Sequence, residues 1–141
     1  YAVSATKKLA FLIESSGGFR VGDKSNNFLD FAIGGYGHNF INNFSSFYGY
    51  DYISLTGNSF VKGTITANYE VFKKSYIVLN ANFANIDNDI FDSGEWFSSP
   101  NYSGYSIGCA TETFLGPIEV RYARSPELTK GFWYFNLGFW F

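Results

Sequence analysis

Hydrophobic and polar residues alternate along most of this chain. In "GFWYFNLGFWF", which ends the sequence, Trp133, Phe135, Leu137, Phe139 and Phe141 share one parity and include no polar group. Phe132, Tyr134, Asn136, Gly138 and Trp140 share the other, which is mixed. A repeat of two places successive side chains on opposite faces of a strand. A half-buried strand of a soluble sheet turns its polar face to water and packs its apolar face into a core. Here the apolar face is almost continuously aromatic.

The same period continues upstream. In "GYSIGCATETFLGPIEVRYARS" the pair Gly116-Pro117 suits a type II′ hairpin, with glycine where φ must be positive. That turn sets Leu115 against Ile118, Thr113 against Val120 and Thr111 against Tyr122 on a largely apolar face. On the other face it sets Phe114 against Glu119, Ala110 against Ala123, and Glu112 against Arg121, a carboxylate across from a guanidinium. In "VKGTITANYEVFKKSYIVLNANFANI" a three-residue turn, Lys73-Lys74-Ser75, sets Val71 against Ile77, Tyr69 against Leu79 and Ala67 against Ala81. The opposite face carries Thr64, Thr66, Asn68, Glu70, Asn80 and Asn82. "FLDFAIGG" reads as a strand with Leu29, Phe31 and Ile33 on one side. Leu9, Phe11, Ile13, Phe19 and Val21 keep one parity in a long strand that can bend at Gly17-Gly18, with Tyr1 to Lys7 as an extension.

The connections alternate in length. Gly22–Asn27, Lys73–Ser75 and Gly116–Pro117 are short, whereas Tyr36 to about Leu55, Asp87–Ser103 and Pro126–Gly131 are longer and rich in small polar residues. Apolar-out, polar-in strands with short turns at one end and long loops at the other define an all-β, antiparallel transmembrane β-barrel. Seven strands are read this way. Bacterial single-chain barrels have an even number. Either the barrel is completed from upstream or by a partner chain, or one more strand lies within Tyr36–Leu55 or Tyr1–Lys7.

Composition sharpens this picture. Aromatic residues make up 22% of the 141, and mean hydropathy is only −0.07. No run approaches the roughly 18–20 apolar residues of a membrane helix. A net charge of −2 gives no electrostatic footprint for nucleic acid. One cysteine, Cys109, and one histidine, His38, build neither a disulfide framework nor a Cys/His metal site. No cofactor is implied. The start at Tyr1, with no methionine in the chain, reads as a processed or truncated polypeptide.

Four constellations have candidate chemistry. "GYSIG" fits the G-x-S-x-G elbow of serine hydrolases, which needs a strand, a sharp turn and a helix. The period of two runs straight through it, so Gly104, Ser106 and Gly108 read as small inward residues and Ser106 as no nucleophile. Glu112 and Arg121 read as a structural charge pair in a polar lumen, joined by Lys62, Glu70, Asp30 and Glu119; Arg124, of outward parity, belongs near the rim. "NIDNDIFDSGEWF" offers Asp87, Asp89 and Asp92 to a cation but lacks calcium-loop spacing, and reads as a solvated loop. Tyr69, Tyr76, Tyr122, Trp133 and Trp140 read as an interfacial girdle, with Trp140 inward by parity.

"GGYGHNFINNFSSFYGYDYISLTGNSFVKG", "SGEWFSSPNYSGYSIG", "ETFLGPIEVRYARSPE" and "YFNLGFWF" resemble the C-terminal membrane domain of bacterial patatin-like phospholipases of the Bacteroidetes type. That domain is similar in turn to the last strands of the surface-antigen barrel superfamily, with its assembly factor and two-partner secretion pores. There a long extracellular loop with a V-R-G-[FY]-like motif folds back into the lumen. Phe47, Tyr48, Gly49 and Tyr50 occupy the matching place here, with Tyr48 where the arginine would stand. The departure removes support for any mechanism that relies on that arginine. The terminal aromatics, Trp133, Phe135, Leu137, Phe139 and Phe141, resemble the targeting signal read by the barrel assembly machinery.

The resemblance implies an upstream acyl hydrolase with a Ser-Asp dyad, the outer membrane of a Gram-negative bacterium, contact with its lipids, and pairing of short barrels as homodimers. Three functions then compete: an anchor or export barrel for that enzyme, an independent adhesin or scaffold, and a soluble barrel binding an apolar ligand. The last requires polar outer faces, which the aromatic outward parity argues against.

Overall fold

The computed structural model describes residues 1–22, 30–37 and 43–138. Its main element is a seven-stranded antiparallel sheet in the order β1-β2-β6-β7-β8-β9-β10. The strands are β1 (Ala2–Ser4), β2 (Leu9–Phe19), β6 (Ser59–Phe72), β7 (Ser75–Asp87), β8 (Tyr102–Thr113), β9 (Gly116–Arg124) and β10 (Gly131–Leu137). A second, three-stranded sheet joins β3 (Phe31–Ile33) in parallel with β4 (Phe44–Ser45) and antiparallel with β5 (Leu55–Gly57). Between β7 and β8 lie one turn of helix, α1 (Ile90–Ser93), and a 3₁₀ turn (Glu95–Phe97). No helix among the described residues is long and apolar enough to cross a membrane, which says nothing of crossing by strands.

The expected faces are present. One face of the large sheet carries Ile13, Phe19, Ile65, Tyr69, Leu79, Tyr105, Ile107, Ile118, Trp133, Phe135 and Leu137, all well exposed. The other carries Thr64, Asn80, Asn82, Ser106 and Arg121, all buried, because the segment between β2 and β6 folds across it. The apolar core lies between this inner face and that segment: Ile33, Phe47 and Tyr50 pack on Phe60, Ala84 and Ile86. The molecule therefore buries its polar face and exposes its apolar one, the reverse of a soluble sheet.

Register differs from expectation at both hairpins. In β6–β7, Tyr69 faces Ile77, Ala67 faces Leu79 and Ile65 faces Ala81. The turn uses only Lys73 and Lys74, Lys74 taking a left-handed φ of 64°, and a bulge between Glu70 and Phe72 absorbs the extra residue. In β8–β9 the turn residues are Phe114 and Leu115, not Gly116 and Pro117. Gly116 opens β9 at φ 105°, a positive φ that glycine adopts without strain, as the first residue after the turn and not at its centre. Thr111 then faces Ile118, Cys109 faces Val120 and Gly108 faces Arg121, so Glu112 and Arg121 are not cross-strand partners. The slips are even-numbered, so every side chain keeps its face.

The N-terminal half differs in topology. The strand after β2 is not Phe28–Gly35; β2 pairs along its whole length with β6, from Leu9 opposite Tyr69 to Phe19 opposite Ser59. Phe31–Ile33 is the central strand of the small inner sheet, and most of the turn expected at Gly22–Asn27 lies outside the described residues. A wall strand comes instead from Ala2–Ser4, which folds back on β2 through residues 5–8. Short connections thus gather at one end (5–8, 73–74, 114–115) and long ones at the other (20–58, 88–101, 125–130).

Candidate functional site

The inner face meets the 20–58 segment at Phe47–Tyr50. Phe47 is fully buried. Its N–H donates to the Gly35 carbonyl at 3.1 Å, and the Gly35 N–H donates to the Tyr50 carbonyl at 3.0 Å, which holds the segment as a tight loop. Tyr48 docks this loop on β7: its N–H donates to Asn82 Oδ1 at 3.1 Å, and Asn82 Nδ2 donates to its carbonyl at 3.2 Å. One side-chain amide thus satisfies both backbone groups of one residue, as buried backbone requires. The Tyr48 carbonyl presses against β8 at Gly104, where a Cβ would stand 1.8 Å from the oxygen. Gly49 is at φ 92°, and a Cβ there would lie 2.7 Å from the Arg124 carbonyl carbon.

Arg121 is the centre of the contact. Its Nε donates to Glu119 Oε1 at 2.8 Å, a neighbour two residues along the same face, and its Nη2 adds a second bond to that oxygen. Nη1 donates to Ser106 Oγ at 3.2 Å. The guanidinium carbon lies 4.6 Å from the Tyr48 ring centroid and 5.6 Å from that of Tyr36. Tyr36 donates its hydroxyl to Glu119 Oε2 at 2.6 Å and stacks on Tyr134 of β10 at 5.1 Å. A buried cation is tolerable only when paired and hydrogen-bonded, and Arg121 has both, with two aromatic faces besides.

The sequence-derived charge pair is therefore replaced. Glu112 is exposed near the short-turn end, its carboxylate 3.5 Å from the Tyr76 hydroxyl. Lys62 bonds the Ser45 hydroxyl and the Ser46 carbonyl of the folded segment, Asp30 pairs with Arg20, and Glu70 accepts from the Lys74 N–H. Of the expected network only Glu119 joins Arg121. Between wall and loop remains an open polar hollow of about 700 Å³, lined in part by Glu14, Lys62, Asn68, Asn80, Glu119 and Arg121.

Ser106 lies mid-strand, buried beneath Arg121, with no turn or helix after it. "GYSIG" is the wall's receiving strip: Gly104 admits the loop carbonyl, Ser106 accepts from Arg121, and Gly108 sits across from Arg121.

A second latch lies at the long-loop end. Glu127, between β9 and β10, accepts from Ser103 Oγ at 2.7 Å, from the Tyr50 hydroxyl at 3.0 Å and from the fully buried Ser125 hydroxyl. Burial pushes the Glu127 carboxyl up, but the bonds from Ser125, Ser103, its own backbone N–H and Tyr50 outweigh it and hold the group down at about 2. Burial raises the Tyr50 phenol to about 12, with Ser125 opposing and Glu127 adding. Tyr134 completes the latch by donating to the Tyr50 carbonyl at 3.2 Å.

Asp87, Asp89 and Asp92 do not converge, and no metal-binding group of acidic, Cys or His side chains exists among the described residues. Trp133, Phe135 and Leu137 point outward at 64%, 73% and 69% exposure. Phe139 and Phe141, like His38 and Trp140, lie outside the described residues.

An apolar outer face, a polar inner face and a long segment folded back into the interior define a membrane β-barrel with an inward-docked loop. The OMP85 superfamily model matches residues 1–141. The chain belongs to that superfamily, and its architecture is that of an outer-membrane β-barrel. No curated protein matches it.

Proposed function

We propose that this chain is the outer-membrane anchor, and the export barrel, of a longer polypeptide whose upstream part is a patatin-like acyl hydrolase of a Gram-negative bacterium. The observation that carries the anchoring role is the inverted polarity of the sheet, with Trp133, Phe135, Leu137 and their neighbours exposed and Asn82, Ser106 and Arg121 buried. The enzymatic parent rests on the resemblance of the loop and terminal stretches to patatin-like membrane domains. No hydrolytic chemistry is assigned to this chain. The decisive test is the reading frame upstream of Tyr1. A G-x-G-x-x-G stretch and a second G-x-S-x-G elbow there support the proposal; a signal peptide ending just before Tyr1 overturns it in favour of an independent adhesin or scaffold.

Insertion would be directed by the terminal aromatics through the barrel assembly machinery. Deleting Phe141 should lower outer-membrane yield and the heat-modifiable form on gels, and unchanged assembly would refute the targeting role. Among the described residues no ladder joins β1 to β10, so both edges are open to further strands. A homodimer that pairs these edges is the completion proposed, and disulfide trapping between cysteines placed on β1 and β10 of separate copies tests it.

A further inference from the structure

We propose that the β7–β8 loop, residues 88–101, is a membrane-contacting ledge that lies in the outer leaflet at the border of headgroups and acyl chains. The inference rests on the membrane-barrel reading above and concerns a part that the reading leaves as a solvated loop.

The loop does not arch over the barrel mouth. It folds down the outer face. Ser59 and Asn85 have outward parity on β6 and β7, with Val61, Ile65, Leu79 and Phe83, yet they are only 1% and 4% exposed. The loop covers both. Ile90, 1% exposed, donates its N–H to Ser59 Oγ at 3.0 Å. Asn85 Nδ2 donates to the Glu95 carbonyl at 3.0 Å, and its Oδ1 accepts from the Asn101 N–H at 2.7 Å. Two polar side chains that would otherwise face lipid at the rim are thus satisfied by loop backbone.

What the loop presents in their place is aromatic. Phe19, the last outward residue of β2, meets Phe91 at 5.5 Å; Phe91 stacks on Trp96 at 5.9 Å, and Trp96 meets Phe97 edge-on at 4.6 Å. Phe19, Trp96 and Phe97 are 63%, 42% and 81% exposed. This run continues the outward row of β2, Phe11 and Ile13, beyond the strand end. The lipid-facing band, interrupted on β2 only by the small Ser15 and Gly17, therefore resumes at Phe19 and carries onto the ledge, and its occupant is the lipid that covers the band. Rings with polar edges favour that depth. Asp92 and Glu95 are exposed on this loop, and Asp87 is exposed where β7 enters it. An acidic ledge gains nothing from anionic headgroups, so apolar burial must hold it and zwitterionic lipid suffices.

The test uses the full chain refolded into phosphatidylcholine vesicles brominated either near the glycerol backbone or near the chain ends, with folding checked by heat-modifiability. A protein carrying Trp133→Phe and Trp140→Phe reports Trp96 alone; one carrying Trp96→Phe and Trp140→Phe reports Trp133 of the β10 wall. The expected result is blue-shifted Trp96 emission, quenched more by shallow than by deep bromines, with Phe97→Asp lowering that quenching. Quenching of Trp133 but not of Trp96 overturns the ledge and leaves the barrel standing. Quenching of neither overturns the barrel reading itself. Trp96 shielded from both bromolipid and aqueous acrylamide would mean a protein covers it, which also overturns the proposal.

Discussion

The guanidinium carbon of Arg121 lies 4.6 Å from the centre of the Tyr48 ring, so a wall cation and a loop aromatic face join the two parts of the fold. The resemblance to V-R-G-[FY] barrels leads one to expect the cation in the loop. Here the loop supplies the ring and β9 the charge, with Glu119 two residues away as its counter-ion. Tyr48→Phe keeps the ring and should leave stability within about 0.5 kcal/mol of the parent, while Tyr48→Leu should cost about 0.5–2 kcal/mol by loss of the cation–π contact. Arg121→Met should cost more, since it strands a partly buried carboxylate and removes a donor to Ser106. Urea unfolding of the refolded barrel, with a Tyr48→Leu/Arg121→Met cycle, separates the pair from the rest.

Asn82 makes a different prediction because it bonds the Tyr48 backbone at both ends. Asn82→Ala removes donor and acceptor together and leaves two buried backbone groups unpaired, a loss of about 1–3 kcal/mol. Asn82→Asp keeps the acceptor for the Tyr48 N–H but loses the donor to its carbonyl. Hydrogen exchange should show the Tyr48 amide opening most in Asn82→Ala and less in Asn82→Asp. Equal protection in all three proteins would contradict the docking.

Parity was legible from the sequence at every wall strand but β1, because apolar residues alternate with polar or small ones through most of Leu9 to Phe19 and of Val61 to Leu137 outside the loops. Register was not, because slips of two or four residues leave each side chain on its own face. The Gly116-Pro117 turn looked sound on local chemistry; the observed turn places Gly108, not Glu112, across from Arg121, and so makes room for a buried guanidinium. The Glu119–Arg121 pair could have been found by its i, i+2 spacing on one face. Tyr36 and Tyr48 could not, since they reach Arg121 only once residues 20–58 fold inward. The short β3 misled for a related reason: an inner strand packed on Phe60 and a wall strand show the same period of two.

Gly104 and Ser106 share a strand and a face but should respond unequally to replacement by alanine. Gly104→Ala puts a Cβ 1.8 Å from the Tyr48 carbonyl oxygen, so the loop must move off the wall, at about 1–3 kcal/mol for overpacking. Ser106→Ala removes one acceptor from Arg121, which keeps Glu119, and should cost about 0.5–1.5 kcal/mol. Protease cleavage within 43–58 should rise sharply in Gly104→Ala and little in Ser106→Ala. Under the proposal of an upstream acyl hydrolase, its activity should be unchanged in Ser106→Ala, and a loss there would restore the elbow reading.

The latch at Glu127 gives the loop a defined acid limit. Its carboxyl is held at about 2, against an ordinary 4.5, by bonds that the ionised form accepts. A depressed carboxylate stabilises the state that depresses it at all pH above the ordinary value, and that stabilisation fades as pH falls through the folded value. The docked state should therefore have the Glu127 contribution in full above about pH 4.5 and lose it between there and about pH 2. Glu127→Gln cannot titrate, and its amide NH2 must face either Ser103 or the Ser125 and Tyr50 pair, hydroxyls that donate to the carboxylate in the native latch. Pepsin, active across this window, reads the difference: at pH 4 the native loop should resist cleavage better than Glu127→Gln, and the two should converge near pH 2. A gap that persists at pH 2, or never appears at pH 4, would show that the carboxylate does not hold the loop.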